Sequence, residues 1–481
     1  MVSLCREEWL NTPMYSESKH LHILGICGTA MAAIAGLAKE KGWHVSGSDA
    51  GVYPPMSDYL ATLGIKIAAF DAGNLHPKPD LCVIGNAMSR GNVEVESILS
   101  AGLAYCSGPE FVGNHILPDR HAVVATGTHG KTTTASILAH VLDVAGKSPG
   151  FLIGGIPENF EGGARLGKGL PFVLEGDEYD TAFFDKRSKF LHYHAKTLIL
   201  NNLEYDHADI FPDLDAIKLQ FSHLLRTVPN NGNIIVNADD KHLPDVLEKG
   251  CWAPIINFAQ YGHPTAQWQW QCLKKDGSKF SLYYKGEKVI ECAWSMIGVH
   301  NVSNACAVAA AMTVLGVPAE TIQKGFESFA GIRRRMSLVG EERGIRIFDD
   351  FAHHPTAITG MVSAAKHAMR SDGKLWVIVE PRSNTMRSRI HQERLPQCFT
   401  DADMVIFTPA EDSKLTRDKI LDVDLVCKQI GSHAQVLANV DCIIQEVCSH
   451  AQTGDDILIL SNGGFDGIHK KLLKALQRCK P

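Results

Sequence analysis

The sequence has no basic excess, no long apolar run and no paired cysteine motif. Lys and Arg number 47 against 53 Asp and Glu, a formal net charge of −6, so it carries no electrostatic footprint for nucleic acid. Arg333-Arg334-Arg335 is too short to form a basic patch. No stretch reaches the roughly 18 apolar residues of a membrane span, and the best candidate, residues 305–317, falls short. Residues 1–19 carry Arg6, Glu7, Glu8, Glu17 and Lys19 and read as a polar tail rather than a signal peptide. The 13 cysteines are scattered, with no Cys-x-x-Cys pair, which predicts reduced thiols in a cytoplasm. Also missing is the Gly-x-Gly-x-x-Gly spacing of dinucleotide-binding turns.

What is present is an ordinary globular composition, 481 residues with 45% hydrophobic and 21% charged. At roughly 100 to 200 residues per domain this predicts three domains. Apolar runs at residues 20–25, 44–47 and 79–85 alternate with helical spacing, notably after residue 29, and make a first α/β unit over 20–117. A second unit, 118–335, opens with a strand at 121–125 and a helix from 131 to 145, followed by strands at 171–174 and 197–200. Between residues 268 and 294, alternation around Asp276-Gly277 and Lys285-Gly286 predicts antiparallel hairpins that embellish this unit. A helix over 302–315 precedes a polar junction at residues 331–335. The third unit, 336–481, has strands at 345–348, 374–380, 404–408 and 456–460. The fold class is α/β with three parallel-sheet domains.

The most informative segment is TGTHGKTTT, residues 126–134, between an apolar strand and a helix. Gly127, Thr128 and Gly130 would turn backbone amides toward a polyphosphate, with Thr133 in the first helical turn. Lys131 would neutralise phosphate charge and Thr132 would place a hydroxyl on Mg²⁺. Ala125 stands where the general motif has its first glycine. Two strand ends supply carboxylates: Glu175-Gly176-Asp177-Glu178-Tyr179-Asp180, and the stretch from Asn201 to Asp209 that contains Glu204, Asp206 and His207. Following strands in a phosphate-loop domain, these favour a metal site over a solvated acidic rim.

These motifs, with GVHNVSN at 298–304 and DDFAHHP at 349–355, resemble the ATP-dependent Mur ligases in order and spacing from residue 21 to residue 476. The segments HILGICGTAM, GSDAGVYPPMS, IGNAMSRGN, AFFDKRSKF, EPRSNTM and LSNGGFDGIHKKLL are most similar to family members that use a preformed murein tripeptide. The L-alanine-adding members share the ATP motifs but not the last three segments. The resemblance implies a Rossmann-like amino-terminal domain, a central ATPase domain with a phosphate loop and a Rossmann-like carboxyl-terminal domain. It implies catalytic roles for Lys131, Glu175 and His207, with Thr132, Glu175 and His207 holding Mg²⁺. It puts His300, Asn301 and Asn304 near adenine, and Arg335 and Asp350 at ATP from the third domain. Several family members carry a carbamylated lysine after the Asp-His pair; here Phe221 and Ser222 stand at that spacing and Lys218 is misplaced, so none is assigned.

The first glycine turn suits a diphosphate at a helix N-terminus, with Asp49 placed to accept from a ribose or base. The resemblance makes it a UDP-sugar site using Gly28, Thr29, Met31, Asp49, Asn86 and Met88. It implies UDP-N-acetylmuramate and L-alanyl-γ-D-glutamyl-meso-diaminopimelate as substrates, joined through an acyl phosphate. Arg382, Ser383, Asn384 and Thr385 would hold the peptide, Arg382 pairing with a carboxylate; loop capping is the alternative for this segment and for Ser461-Asn462-Gly463-Gly464. Arg187 either touches substrate or is solvated. His192 and His194 alternate on a strand-like run and reflect packing or surface. His353-His354 beside Asp349-Asp350 leave three uses open: phosphate or ribose contact, structural hydrogen bonding, or a separate metal. Competing functions are ligation to free L-alanine, a dinucleotide-dependent oxidoreductase, and a nucleotide switch. Hydride transfer has no need of the phosphate loop, and a switch leaves the first glycine turn and the third-domain loops without a role.

Overall fold

The computed structural model describes residues 18–370, 372–411 and 415–478; residues 1–17 of the polar tail lie outside them. Its strands form three main sheets. Among the described residues, one compact unit comprises those up to Val112 together with Ala182–Asp185, and a second holds the others.

In the first unit, five parallel strands run in the spatial order Ile67–Ala68, His44–Ser48, His20–Leu24, Leu81–Ile84, Tyr105–Ser107. Leu21, Ile23 and Leu24 are buried, as short apolar runs in a parallel sheet require. The chain order reverses between His20–Leu24 and Leu81–Ile84, so the loops after these two strands open on the switch point where α/β sheets take ligands. A buried carboxylate braces this edge. Glu94 accepts hydrogen bonds from Asn74 Nδ2 at 2.6 Å and the Asp71 N–H at 3.0 Å, and also from Ser48, with His22 Nε2 at 3.3 Å.

The second unit contains a ten-stranded sheet and a six-stranded sheet. At the centre of the larger one, Thr197–Leu200, His121–Thr126 and Pro171–Glu175 are parallel neighbours. Their carboxyl ends therefore share one edge. The helices Lys131–Val144 and Val299–Val314 pack over this sheet through Ile137, Leu138, Val141, Ala305, Val308 and Ala309. The hairpins predicted as an embellishment are instead the far side of the same sheet. Phe258 and Trp268 pair in parallel register, and Trp268–Cys272, Lys279–Tyr284 and Glu287–Ala293 continue it antiparallel. Alternating apolar residues such as Phe280, Leu282 and Ile290 turn one face of this extension into the common core. His192 and His194 are not on a strand: His192 ends the 3-10 helix Lys189–His192 and is buried, while His194 has φ 47°.

The six-stranded sheet is ordered Ser337–Glu342, Ile345–Asp350, Asp456–Leu460, Leu375–Val379, Met404–Phe407, Ala434–Val436. Only the first pair is antiparallel. Its apolar core occupies both faces, with Val377, Leu458 and Phe407 on one and Trp376, Ile457 and Ile459 on the other.

Candidate active site

The strand His121–Thr126 ends in a loop that must turn sharply into the helix Lys131–Val144. Gly130 caps that helix with φ 78°, and a Cβ there would lie 2.7 Å from Asn304 Oδ1. Gly127 has φ 131° and lies against the Asn202 backbone. Only glycine suits either position without strain. The adjacent strand end fastens the loop: the Thr128 N–H donates to Asn202 O at 3.1 Å, the His129 N–H to Asn202 Oδ1 at 2.7 Å, and the Glu204 N–H to Thr128 Oγ1 at 2.8 Å. Behind the loop, Asn201 donates to Thr134 Oγ1 at 2.8 Å, and Asn304 to Asn301 Oδ1 at 3.3 Å. Asn301, Asn304 and Thr133 are buried, whereas His300 is exposed at the helix start.

Lys131 and Thr132 point to two different carboxylates. Lys131 Nζ donates to Glu178 Oε2 at 2.8 Å, and Thr132 Oγ1 to Glu175 Oε1 at 2.8 Å. The other Glu175 oxygen accepts the Gly154 N–H at 2.8 Å. Glu178 Oε1 lies 3.6 Å from His207 Nε2, and Asp177 pairs with Lys189 at 2.6 Å. Burial alone would lower Lys131, but Glu178, Asp177 and Glu175 outweigh it and hold the ammonium above its ordinary range. Burial likewise opposes charge on His207, yet the Glu178 carboxylate facing it and the neighbouring Asp206 raise it. His207 has φ 54°, a left-handed conformation uncommon for a residue with a Cβ.

Of the three metal ligands expected, Thr132 and Glu175 are paired with each other, while His207 gathers with Asp177 and Glu178. One donor atom from each of these last three lies within 4.8 Å of the others. Glu178, 1% exposed, links the Lys131 side of the site to the His207 side, and the sequence reading did not single it out. The donor set is mostly hard oxygen with one imidazole, a chemistry that fits a divalent cation beside a polyphosphate. Thr132 Oγ1, Glu175, Asp177, Glu178 and His207 are the residues able to hold it.

From the six-stranded sheet, Arg335 lies over the Phe351 ring at 5.1 Å, and Arg334 donates to Ser461 O and Gly463 O at 2.7 Å each. Asp350 is buried and accepts the Met336 and Ala352 N–H groups at 2.8 Å each. The set His353, His354, Asp349 and Asp350 does not form a metal cluster. Asp349 faces Arg334 at 3.2 Å and His469 at 3.1 Å, and His353 Nδ1 donates to Phe351 O at 2.9 Å. His354 instead faces Glu204 at 3.5 Å, and burial with His129 and His391 nearby takes it down to about 3. In the segment expected to hold peptide, Ser383 caps Asn384–Arg387 by accepting the Met386 N–H at 3.2 Å, and Thr385 is buried. Asn384 donates to Asp209 Oδ2 at 3.2 Å, and Tyr179 donates to the same oxygen at 2.6 Å. Arg382 lies directly against Gly463 and faces Glu380 at 3.3 Å; Arg187 is exposed.

Within the first unit, the glycine turn brings its predicted residues together. Asp49 accepts the Cys27 and Gly51 N–H groups at 2.8 Å each. Met31 packs near Gly28 and Gly85, and Met88 lies against Gly25. Gly28 and Thr29 are exposed at the N-terminus of Thr29–Glu40, and Asn86 lies in the loop after Leu81–Ile84.

A phosphate loop whose lysine and threonine both end on carboxylates fits a nucleotide-binding protein, and comparison with known proteins narrows that class. Residues 20–120 match the Mur ligase family catalytic domain, 125–312 the Mur ligase middle domain, and 334–463 the Mur ligase glutamate ligase domain. The chain belongs to the Mur ligase family, ATP-dependent enzymes that form a carbon–nitrogen bond. It is 45% identical over 460 residues, 95% of this chain and 98% of the relative, to the UDP-N-acetylmuramate–L-alanyl-γ-D-glutamyl-meso-2,6-diaminoheptandioate ligase of Escherichia coli K12. A crystal structure of a murein peptide ligase from Psychrobacter arcticus is similar at TM-score 0.73 and 44% identity, covering 96% of this chain and all of that one. The UDP-N-acetylmuramate–L-alanine ligase of Acetivibrio thermocellus is 30% identical over 465 residues, 95% of this chain and 96% of that protein. Among the described residues, no helix is long and apolar enough to cross a membrane.

Proposed function

We infer that the enzyme joins the lactyl carboxylate of UDP-N-acetylmuramate to the L-alanine amine of the tripeptide L-alanyl-γ-D-glutamyl-meso-diaminopimelate, in the cytoplasm, so that murein peptide is reused. The observation that carries the chemistry is the convergence of Lys131 and His207 on Glu178 beside a phosphate loop. Identity of 45% to a tripeptide ligase, against 30% to an L-alanine ligase, favours the preformed peptide as the amine donor.

A carboxylate is a poor acyl donor because oxide does not leave. Transfer of the γ-phosphoryl group from ATP gives an acyl phosphate, the amine attacks its carbonyl, and phosphate departs as the amide forms. Lys131 would offset charge as the anionic carboxylate approaches the anionic γ-phosphate, while the Gly127–Gly130 turn aims amides at the phosphates. Mg²⁺, when held by Thr132, Glu175, Asp177, Glu178 and His207, would neutralise polyphosphate charge. His300, Asn301 and Asn304 would border adenine, and Arg335 and Asp350 would face the nucleotide from the third domain. Gly28, Thr29, Met31, Asp49, Asn86 and Met88 would take the UDP-sugar in residues 20–117. Residues 118–335 would take ATP and residues 336–481 the peptide, with Arg382 on a carboxylate and Ser383, Asn384 and Thr385 shaping its loop. Since no protein nucleophile is needed, positioning and electrostatics supply the rate.

The test is phosphate release from ATP and Mg²⁺ in the presence of UDP-N-acetylmuramate and either free L-alanine or the tripeptide. Release is expected with the tripeptide. Stimulation by L-alanine alone would overturn the assignment.

A further inference from the structure

The loop Ser461-Asn462-Gly463-Gly464 leaves the strand Asp456–Leu460 beside the end of Leu375–Val379, the strand that leads to Arg382. It is fixed from two sides. On one, the buried Ser461 donates its hydroxyl to Glu380 Oε2 and accepts the Gly463 N–H at 2.9 Å, while Arg382 Nη1 donates to Glu380 Oε1 at 3.3 Å. On the other, Arg334 Nη2 donates to Ser461 O and Gly463 O at 2.7 Å each. Arg334 is held in turn. Its Nε donates to Asp349 Oδ2 at 3.2 Å, the other Asp349 oxygen lies 3.1 Å from His469 Nε2, and its guanidinium lies 5.5 Å from the Phe351 ring centroid. Its backbone has φ 61°, a left-handed conformation uncommon for a residue with a Cβ.

Arg382 rests directly on this loop, since a Cβ at Gly463 would overlap it from Cδ to Cζ. Its side chain is nevertheless 54% exposed, so the loop sets where it lies and leaves much of it open to a ligand. We propose that Arg334 is a positioning residue for the peptide. By gripping the 461–463 loop it fixes the surface on which Arg382 lies, and thereby the direction in which Arg382 meets a peptide carboxylate. The proposal rests on the reading of Arg382 as a peptide contact.

The chemistry demands arginine at this position. One planar guanidinium reaches two carbonyls and a carboxylate at once, which an ammonium on a flexible stem does not reproduce. Arg334 also adjoins Arg335, and the two guanidiniums share the Phe351 ring. Adjacent residues of one junction therefore hold the loop beneath Arg382 and the side chain proposed to face the nucleotide.

The experiment is steady-state phosphate release by the full chain, comparing the parent with Arg334→Lys, Gly463→Ala, Arg382→Ala and the Arg334→Lys/Arg382→Ala double variant, with melting curves to verify folding. Arg334→Lys and Gly463→Ala should each raise the tripeptide KM about tenfold, the size of a misaligned charged hydrogen bond, and leave the ATP KM within about twofold. Because Arg334 acts through Arg382, adding Arg334→Lys to Arg382→Ala should raise the tripeptide KM by no more than about twofold further, whereas independent sites would multiply. An unchanged tripeptide KM in folded Arg334→Lys, an equal rise in the ATP KM, or full multiplication in the double variant would overturn the proposal and leave the tripeptide reading intact. Should Arg334→Lys fail to fold, an unchanged tripeptide KM in Gly463→Ala decides against it. A parent that turns over no tripeptide would overturn the reading itself, and the proposal with it.

Discussion

Glu178 is 1% exposed, yet it lies 2.8 Å from Lys131 Nζ and 3.6 Å from His207 Nε2. A buried carboxylate between two cationic groups fixes both, and its loss leaves Lys131 without its nearest counter-charge. Glu178→Gln is therefore expected to raise the Mg²⁺ concentration needed for half-maximal phosphate release by about tenfold or more, read from a Mg²⁺ titration at saturating ATP. Lys131→Ala should cut the rate by about 10²–10³-fold, the size of a lost transition-state charge contact, measured as phosphate release under the same conditions. Glu94 bears on stability instead. Burial alone would raise its carboxyl, but hydrogen bonds from His22, Ser48, Asn74 and Asp71 outweigh that and leave it below the ordinary 4.5. A carboxyl lowered by folding gives its full stabilisation above about pH 4.5 and loses it as pH falls through the folded value. In melting curves taken across that range, the acid decline should be shallower for Glu94→Gln than for the parent.

At the scale of elements, the phosphate loop is where local geometry and function coincide. Gly130→Ala would force a Cβ into a left-handed position and against Asn304, costing about 1–2 kcal/mol from the backbone alone. The melting temperature should fall and calorimetric ATP affinity should weaken together. The far edge of the central sheet makes a second case. Trp294 packs at 5.0 Å from Phe280 and 6.0 Å from Phe326 by ring centroid. Trp294→Ala should cost about 3–5 kcal/mol and weaken ATP affinity measured near the melting onset, because this edge belongs to the sheet that carries the loop. An appended hairpin would leave ATP affinity untouched. The loop itself is legible in the sequence, since strand, glycines, lysine and helix are contiguous and each has a local signature. The extension is legible as hairpins but not in its attachment, because the parallel pairing of Phe258 with Trp268 is a tertiary choice with no period to announce it. Glu178 escapes for a related reason. It lies in irregular chain between Pro171–Glu175 and Asp180–Ala182, where no repeat fixes the direction of a side chain, whereas Glu175 ends a strand.

For the whole molecule, the proposed ligands of a chain with net charge −6, ATP, a UDP-sugar and a peptide with several carboxylates, are all anionic. Its overall field opposes these ligands, so affinity must come from local amides, Lys131, arginines and a divalent cation. Three α/β sheets and their phosphate loop follow from motif order, and the family follows with them. The convergence of His129, Glu204 and His354 does not, because those residues meet only when loops from two sheets are folded together. The central claim is that the carboxylate of UDP-N-acetylmuramate is phosphorylated and then captured by the tripeptide amine. Substrate carrying ¹⁸O in both lactyl carboxylate oxygens, turned over with ATP and tripeptide, should yield inorganic phosphate bearing one ¹⁸O per product and an amide retaining the other, by mass spectrometry. Unlabelled phosphate accompanying amide formation would contradict the account.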